Sequence, residues 1–171
     1  MLPGQERDYS LIVEGAWVTY RDGKYFLFYS GDFCCGAEPS YALMVARADS
    51  PFGPFRRLGE ADGSGRSVIL ERSESWSAPG HNSVITDPSG TQWMLYHAVD
   101  PKRPTFEDRV HGRVARRVLL LDRIEYRDGW PRIAGGRPSG SPQIGPVFFT
   151  DRKSTRLNSS HIQKSRMPSS A

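Results

Sequence analysis

Residues 14–29 read EGAWVTYRDGKYFLFY and residues 81–96 read HNSVITDPSGTQWMLY; a shift of 67 positions lays one over the other without a gap. Trp17 falls on Val84, Gly23 on Gly90, Phe26 on Trp93, Leu27 on Met94, Phe28 on Leu95 and Tyr29 on Tyr96. Each copy is a pair of β-rich runs around a turn signal, Arg21-Asp22-Gly23 in the first and Asp87-Pro88-Ser89-Gly90 in the second. Self-similarity at a fixed spacing points to a repeat architecture. Four strands per unit, repeated radially, make a β-propeller blade, and a sandwich of hairpins is the competing arrangement. In a propeller the entries of the innermost strands converge on the central channel. The overlay of Glu14 on His81 therefore predicts one carboxylate and one imidazole aimed at a common axial cavity.

The rest of the chain fits that picture. Strand-like runs are expected at 13–20, 24–30, 41–46, 81–86, 92–98, 116–125 and 130–133, with Asp128-Gly129 turning the last pair. No stretch of ten or more residues keeps a clean 3.6-residue period, so the chain reads as all-β. At 171 residues, 37% hydrophobic and 11% aromatic, it can bury a core. No apolar run approaches the roughly 20 residues of a membrane span. Two blades do not close a ring, and an open pair exposes sheet edges. The chain is therefore expected to be about two blades of a larger propeller, with further sequence upstream of Met1.

The net charge of +4 invites a nucleic-acid reading until it is located. Residues 151–171, DRKSTRLNSSHIQKSRMPSSA, hold five of the 23 basic and one of the 19 acidic residues, which leaves 18 of each in 1–150. The body is neutral, which excludes a nucleic-acid partner. The Ser-rich tail has no aromatic residue and is expected to be disordered. DRKSTRLNSSH resembles translated sequencing adapter, so residues 1–150 are taken as the domain and 151–171 as an artefactual tail.

Several strings carry a resemblance over most of the body, from about Leu11 to Gly136. They are VEGAWVTYRDGKYFLFYSG, CCG, YALMVARADSPFGPF, PGHNSV, YHAVD and RVLLLD, in that order. Together they resemble family 43 glycoside hydrolases, five-bladed propellers that act as arabinanases, α-L-arabinofuranosidases and β-xylosidases. The resemblance implies hydrolysis with inversion by three carboxylates: a base Asp, a tuning Asp and an acid Glu in an E-G-P motif. Glu14 matches the general acid, Gly15 matches its neighbour, and Ala16 departs from the usual Pro. A general acid must be protonated near neutral pH, a condition that burial and negative neighbours create. The two Asp residues are expected upstream of Glu14, where only Glu6 and Asp8 stand, so this stretch alone is expected to be inactive. Asp22, Asp32, Asp87, Asp100 and Asp122 lie downstream, and most of them read as turn or strand-end residues.

The same resemblance matches His81 to an axial histidine near a hydrated calcium ion, although calcium prefers six to eight oxygen ligands. It also implies a sugar-facing arginine, for which Arg117 is the candidate. Trp17 and Phe33 are candidate stacking residues, with a core role the stronger reading for Trp17. Cys34 and Cys35 are adjacent, so a bridge between them would be strained, and their thiol state stays open. His97 and Asp100 in YHAVD read as structural. The expected function is glycoside hydrolysis of arabinofuranosyl or xylosyl linkages in plant polysaccharide. A sugar-binding propeller without catalysis and a propeller scaffold are the alternatives. The expected partner is an oligo- or polysaccharide, with no organic cofactor and no membrane. Export is expected of such a hydrolase, with its signal upstream.

Overall fold

In a computed structural model of the chain, residues 9–36 and 38–148 are described. The expected tail at 151–171, and Glu6 and Asp8, lie outside them. The chain is built from antiparallel strands: β1 (Val13–Arg21), β2 (Lys24–Gly31), β3 (Ala42–Ala48), β4 (Arg56–Arg57), β5 (Val68–Leu70), β6 (Ser77–Thr86), β7 (Gln92–Val99), β8 (Thr105–Asp108), β9 (Gly112–Ala115), β10 (Arg117–Arg127) and β11 (Trp130–Ile133). One helical turn, α1 (Leu58–Ala61), follows β4. No helix among the described residues is long and apolar enough to cross a membrane.

The strands form two meandering sheets, β1-β2-β3-β4 with β5 beside β3, and β6-β7-β10-β11. A separate hairpin, β8-β9, stands between β7 and β10 in sequence. Each sheet is one propeller blade, as the repeat predicts, and the first strands β1 and β6 touch. The blades pack face to face. Phe26, Phe28, Leu43 and Val45 of the first meet Val84, Met94, Tyr96, Ala98 and Ile124 of the second in one buried cluster. Removing large apolar side chains from water on both facing surfaces is what joins the blades. At one edge the Arg47 guanidinium lies 4.4 Å over the Trp130 ring and donates to the Gly129 carbonyl at 3.1 Å.

The gap-free repeat fails across its turns. Asp22 and Gly23, with φ of 50° and 77°, form a two-residue turn between Arg21 and Lys24. The second hairpin needs five residues between Thr86 and Gln92, and the Asp87 side chain accepts the Ser89 and Thr91 N–H groups there. Thr19 consequently pairs with Phe26, while Thr86 pairs with Gln92 rather than Trp93. A one-residue slip exchanges the faces of a strand. The core-facing Phe26, Phe28 and Ser30 thus correspond to Gln92, Met94 and Tyr96, and His97 turns away from the core. The innermost strand of the second blade also starts at Ser77, four residues before the expected His81.

Candidate active site

Glu14 sits on β1 just before a bulge. Glu14 pairs with Ser30 and Trp17 with Phe28, so the two residues between them oppose only Tyr29. Gly15 adopts φ of +64° there, and a Cβ on it would lie 3.3 Å from His81 Cα. The bulge needs glycine for both reasons, which accounts for the Gly of the motif. It also brings the start of β1 against β6, so that Gly15 packs against His81, while Glu14 and His81 border separate depressions rather than the one cavity the overlay predicts.

Tyr41 closes this junction. Its ring is 1% exposed, and its hydroxyl donates to Glu14 Oε1 at 2.5 Å. A Cβ on Gly80 would lie 2.2 Å from Tyr41 Cδ1, so the ring occupies the space that any side chain at position 80 would take. On the other side Tyr41 stacks on His97, with centroids 5.6 Å apart and planes at 11°. Ser30 Oγ accepts the His81 N–H at 2.8 Å and fixes that backbone, where His81 holds φ of +52°. Burial first, then the hydrogen bond to Glu14 and its charge, push the Tyr41 hydroxyl well above its ordinary range. Tyr41 therefore stays a donor at any working pH. Burial, helped by the Arg117 guanidinium and the neighbouring His81, lowers the His97 imidazole to about 4. His97 is neutral at pH 7.

A cavity of ≈ 530 Å³ opens beside this junction, and Trp17, His81, Asn82, His97, Arg117 and Leu119 contribute to its wall. Three of the sequence candidates, Trp17, His81 and Arg117, thus share one cavity. Among the described residues Trp17 is 40% exposed and lines the cavity rather than the buried cluster. Glu14 stands one residue outside that wall and borders a separate depression of ≈ 360 Å³ with Leu27, Tyr29 and Ala46. Glu14 is exposed, so the burial expected of a general acid is not supplied by these two blades. Phe33, 46% exposed, belongs to neither depression; its backbone pairs with Ser40 in the loop after β2. Cys34 and Cys35 in that loop are joined as a vicinal disulfide.

No Asp contributes to either depression. Asp22 sits in its turn, Asp32 accepts the Leu11 N–H, Asp100 caps the loop at Lys102 and Asp87 anchors its turn, whereas Asp122 is buried in the middle of β10 rather than at a turn or strand end. Among the described residues no group of three or more His, Cys, Asp and Glu is placed to hold a metal ion. The donors around His81 are rich in nitrogen, whereas calcium takes oxygen. The described residues do not by themselves fit the expected calcium ion.

The sequence model of glycosyl hydrolases family 43 matches residues 2–131. The chain belongs to glycosyl hydrolase family 43. It is 30% identical over 131 residues to a probable arabinan endo-1,5-α-L-arabinosidase A of Aspergillus flavus, covering 71% of this chain and 39% of that protein. The corresponding protein of Aspergillus clavatus is 31% identical over 131 residues, covering 71% and 38%. The chain thus spans about two-fifths of the length of these relatives. Among solved structures, a thermostable family-43 glycoside hydrolase superposes with a TM-score of 0.64 at 30% identity, covering 85% of this chain and 44% of that one. The Cellvibrio cellulosa α-L-arabinanase complexed with arabinohexaose gives 0.58 at 23% identity, over 71% and 36%, and shares the fold. In this family-43 chain, Tyr41 and Asn82 were missed by sequence reasoning, and His97 was read as structural. Tyr41 reaches Glu14 across 27 positions, a contact no local pattern encodes.

Proposed function

We propose that the protein carrying this chain is an inverting glycoside hydrolase that cleaves α-L-arabinofuranosyl linkages of arabinan. Residues 1–150 form its propeller part, and 151–171 lie outside that part. Glu14 acts as general acid: its proton passes to the glycosidic oxygen as the bond to the anomeric carbon breaks. Water attacks the opposite face and gives its proton to a carboxylate base from outside the described residues. Inversion sets acid and base about 6.5–9.5 Å apart to admit that water. Tyr41 holds one Glu14 oxygen and leaves the other for the substrate. Arg117 donates to sugar hydroxyls and Trp17 stacks on a ring across the cavity.

The observation that carries this reading is the Tyr41–Glu14 hydrogen bond, made at a glutamate in the family's acid motif and beside a cavity holding His81 and Arg117. The likeness to arabinan endo-1,5-α-L-arabinosidases favours arabinan over xylan as substrate. The test is Glu14→Gln in the full-length protein, assayed on arabinan and on an aryl arabinofuranoside. Activity on arabinan is expected to drop about 10²–10⁴-fold, the span of general acid catalysis, and less on the aryl substrate, whose leaving group needs no proton. Undiminished turnover of arabinan would remove Glu14 from the role. A propeller that binds glycans without cleaving them is the second reading. That reading predicts arabinan affinity with no product released.

A further inference from the structure

Ser30 stands on β2 directly opposite Glu14 of β1 and is completely buried. It follows Phe26 and Phe28 on the core-facing side of that strand, where an apolar side chain would be the ordinary occupant. A buried hydroxyl is costly unless its hydrogen-bonding capacity is used. The Ser30 oxygen accepts the His81 N–H at 2.8 Å, and the same side chain hydrogen-bonds that of Tyr41. Gly80 makes room for both, since a Cβ there would lie 2.6 Å from Tyr41 Cε1 and 3.0 Å from Ser30 Oγ.

The inventory of donors fixes the direction of these bonds. A backbone N–H can only donate, so at His81 the Ser30 oxygen is the acceptor and its own proton is left for another partner. A phenol has one proton, and Tyr41 gives it to Glu14 Oε1. Towards Ser30 the Tyr41 oxygen can therefore only accept. The bonds run one way: from the His81 N–H to Ser30, from Ser30 to Tyr41, and from Tyr41 to Glu14. Each bond in such a chain polarises the next. Burial raises the Tyr41 hydroxyl most, and the bond from Ser30 works in the opposite direction, as a donor to that oxygen must. We infer that Ser30 is a positioning residue for the general acid: by donating to the Tyr41 oxygen it turns the phenol proton towards Glu14, and it ties that carboxylate to the backbone of the second blade at His81. Ser30 is sealed from solvent and acts only through Tyr41. This inference rests on the reading of Glu14 as general acid.

The test compares Ser30→Ala, Tyr41→Phe and the double variant in the full-length protein, on arabinan and on an aryl arabinofuranoside. Proton donation to the leaving oxygen matters on arabinan and hardly at all on the aryl substrate, so the ratio of the two activities reports on the acid itself. Ser30→Ala is expected to lower kcat on arabinan about fivefold and aryl turnover by a smaller factor. Its effect is smaller than the roughly tenfold expected of Tyr41→Phe, because the phenol still donates. In the Tyr41→Phe background the same change should cost less than about twofold, since the residue it acts through is gone. Ser30→Cys keeps the shape with a much weaker donor and acceptor, and it carries the same comparison if the alanine variant does not fold. A merely structural serine would lower turnover of both substrates alike, or cost as much with the Tyr41 hydroxyl absent. Either result, or an unchanged kcat on arabinan, overturns the inference and leaves the hydrolase reading standing. A parent protein inactive on arabinan and xylan, or one undiminished by Glu14→Gln, removes the acid and this inference with it.

Discussion

Each blade contains one buried tyrosine whose hydroxyl donates to a carboxylate at 2.5 Å, Tyr41 to Glu14 in the first and Tyr96 to Asp122 in the second. The bonds are alike and the carboxylates are not. Asp122 is 3% exposed and also accepts the Ser139 N–H at 3.3 Å and Gln143 Nε2 at 3.2 Å. Those bonds hold the segment after β11, which lies over the far face of the second blade. Glu14 is exposed, and among the described residues only Tyr41 bonds its carboxylate. A fully satisfied buried carboxylate has no capacity left for a substrate. One fixed at a single oxygen is oriented and still available. The number of donors, rather than the presence of a Tyr–carboxylate bond, separates an anchor from a candidate catalyst.

Breaking each pair should separate these roles. The largest effect is expected from Glu14→Gln: activity falls 10²–10⁴-fold while the melting temperature stays within about 2 °C, checked by assay and thermal melt on one preparation. Asp122→Ala should do the reverse. It leaves the Tyr96 hydroxyl, the Ser139 N–H and the Gln143 amide unpaired, and urea denaturation should show a loss of about 3 kcal/mol. Tyr41→Phe keeps the ring on His97 and removes the donor to Glu14, so kcat is expected to fall about tenfold with little change in folding. An unchanged kcat would mean that Tyr41 does not orient Glu14.

The smallest effect concerns pH. The folded chain lowers His97 to about 4 from its ordinary 6.5, so between those values the unfolded chain binds a proton that the folded chain does not. Stability from this group is therefore complete above about pH 6.5 and declines as pH falls towards about 4. His97→Phe should flatten that part of the curve of melting temperature against pH. A curve parallel to that of the parent protein would place the acid sensitivity elsewhere.

Local patterns made much of the first blade legible. The Asp22-Gly23 turn, flanked by β-branched and aromatic residues, located the β1-β2 hairpin closely, and in the second blade Trp130–Ile133 was placed to the residue. The start of β6 was hidden because two bulges, with Ala78 and His81 at positive φ, break the alternation that marks a strand. Short strands such as β4 and β5 hold too few residues to show any period. The register of the second hairpin depended on an Asp87-centred loop, whose length an alignment without gaps conceals. At the site, motif and repeat drew attention to Glu14, His81, Trp17 and Arg117, and the last three line one cavity. They did not mark Tyr41 or Ser30, whose significance lies in contacts across the blades.

The fit of Tyr41 against Gly80 has a consequence for how such a chain can be reassembled. Propeller blades invite exchange as modules, because each is a continuous stretch of sequence. Here a ring supplied by the first blade fills a gap left by the second and stacks on that blade's histidine. A recombination crossover anywhere between residues 49 and 76 would join halves whose ring and gap were matched to other partners. These two blades are expected to be inherited as a single unit, and hybrids cut between them should lose the site before they lose the fold.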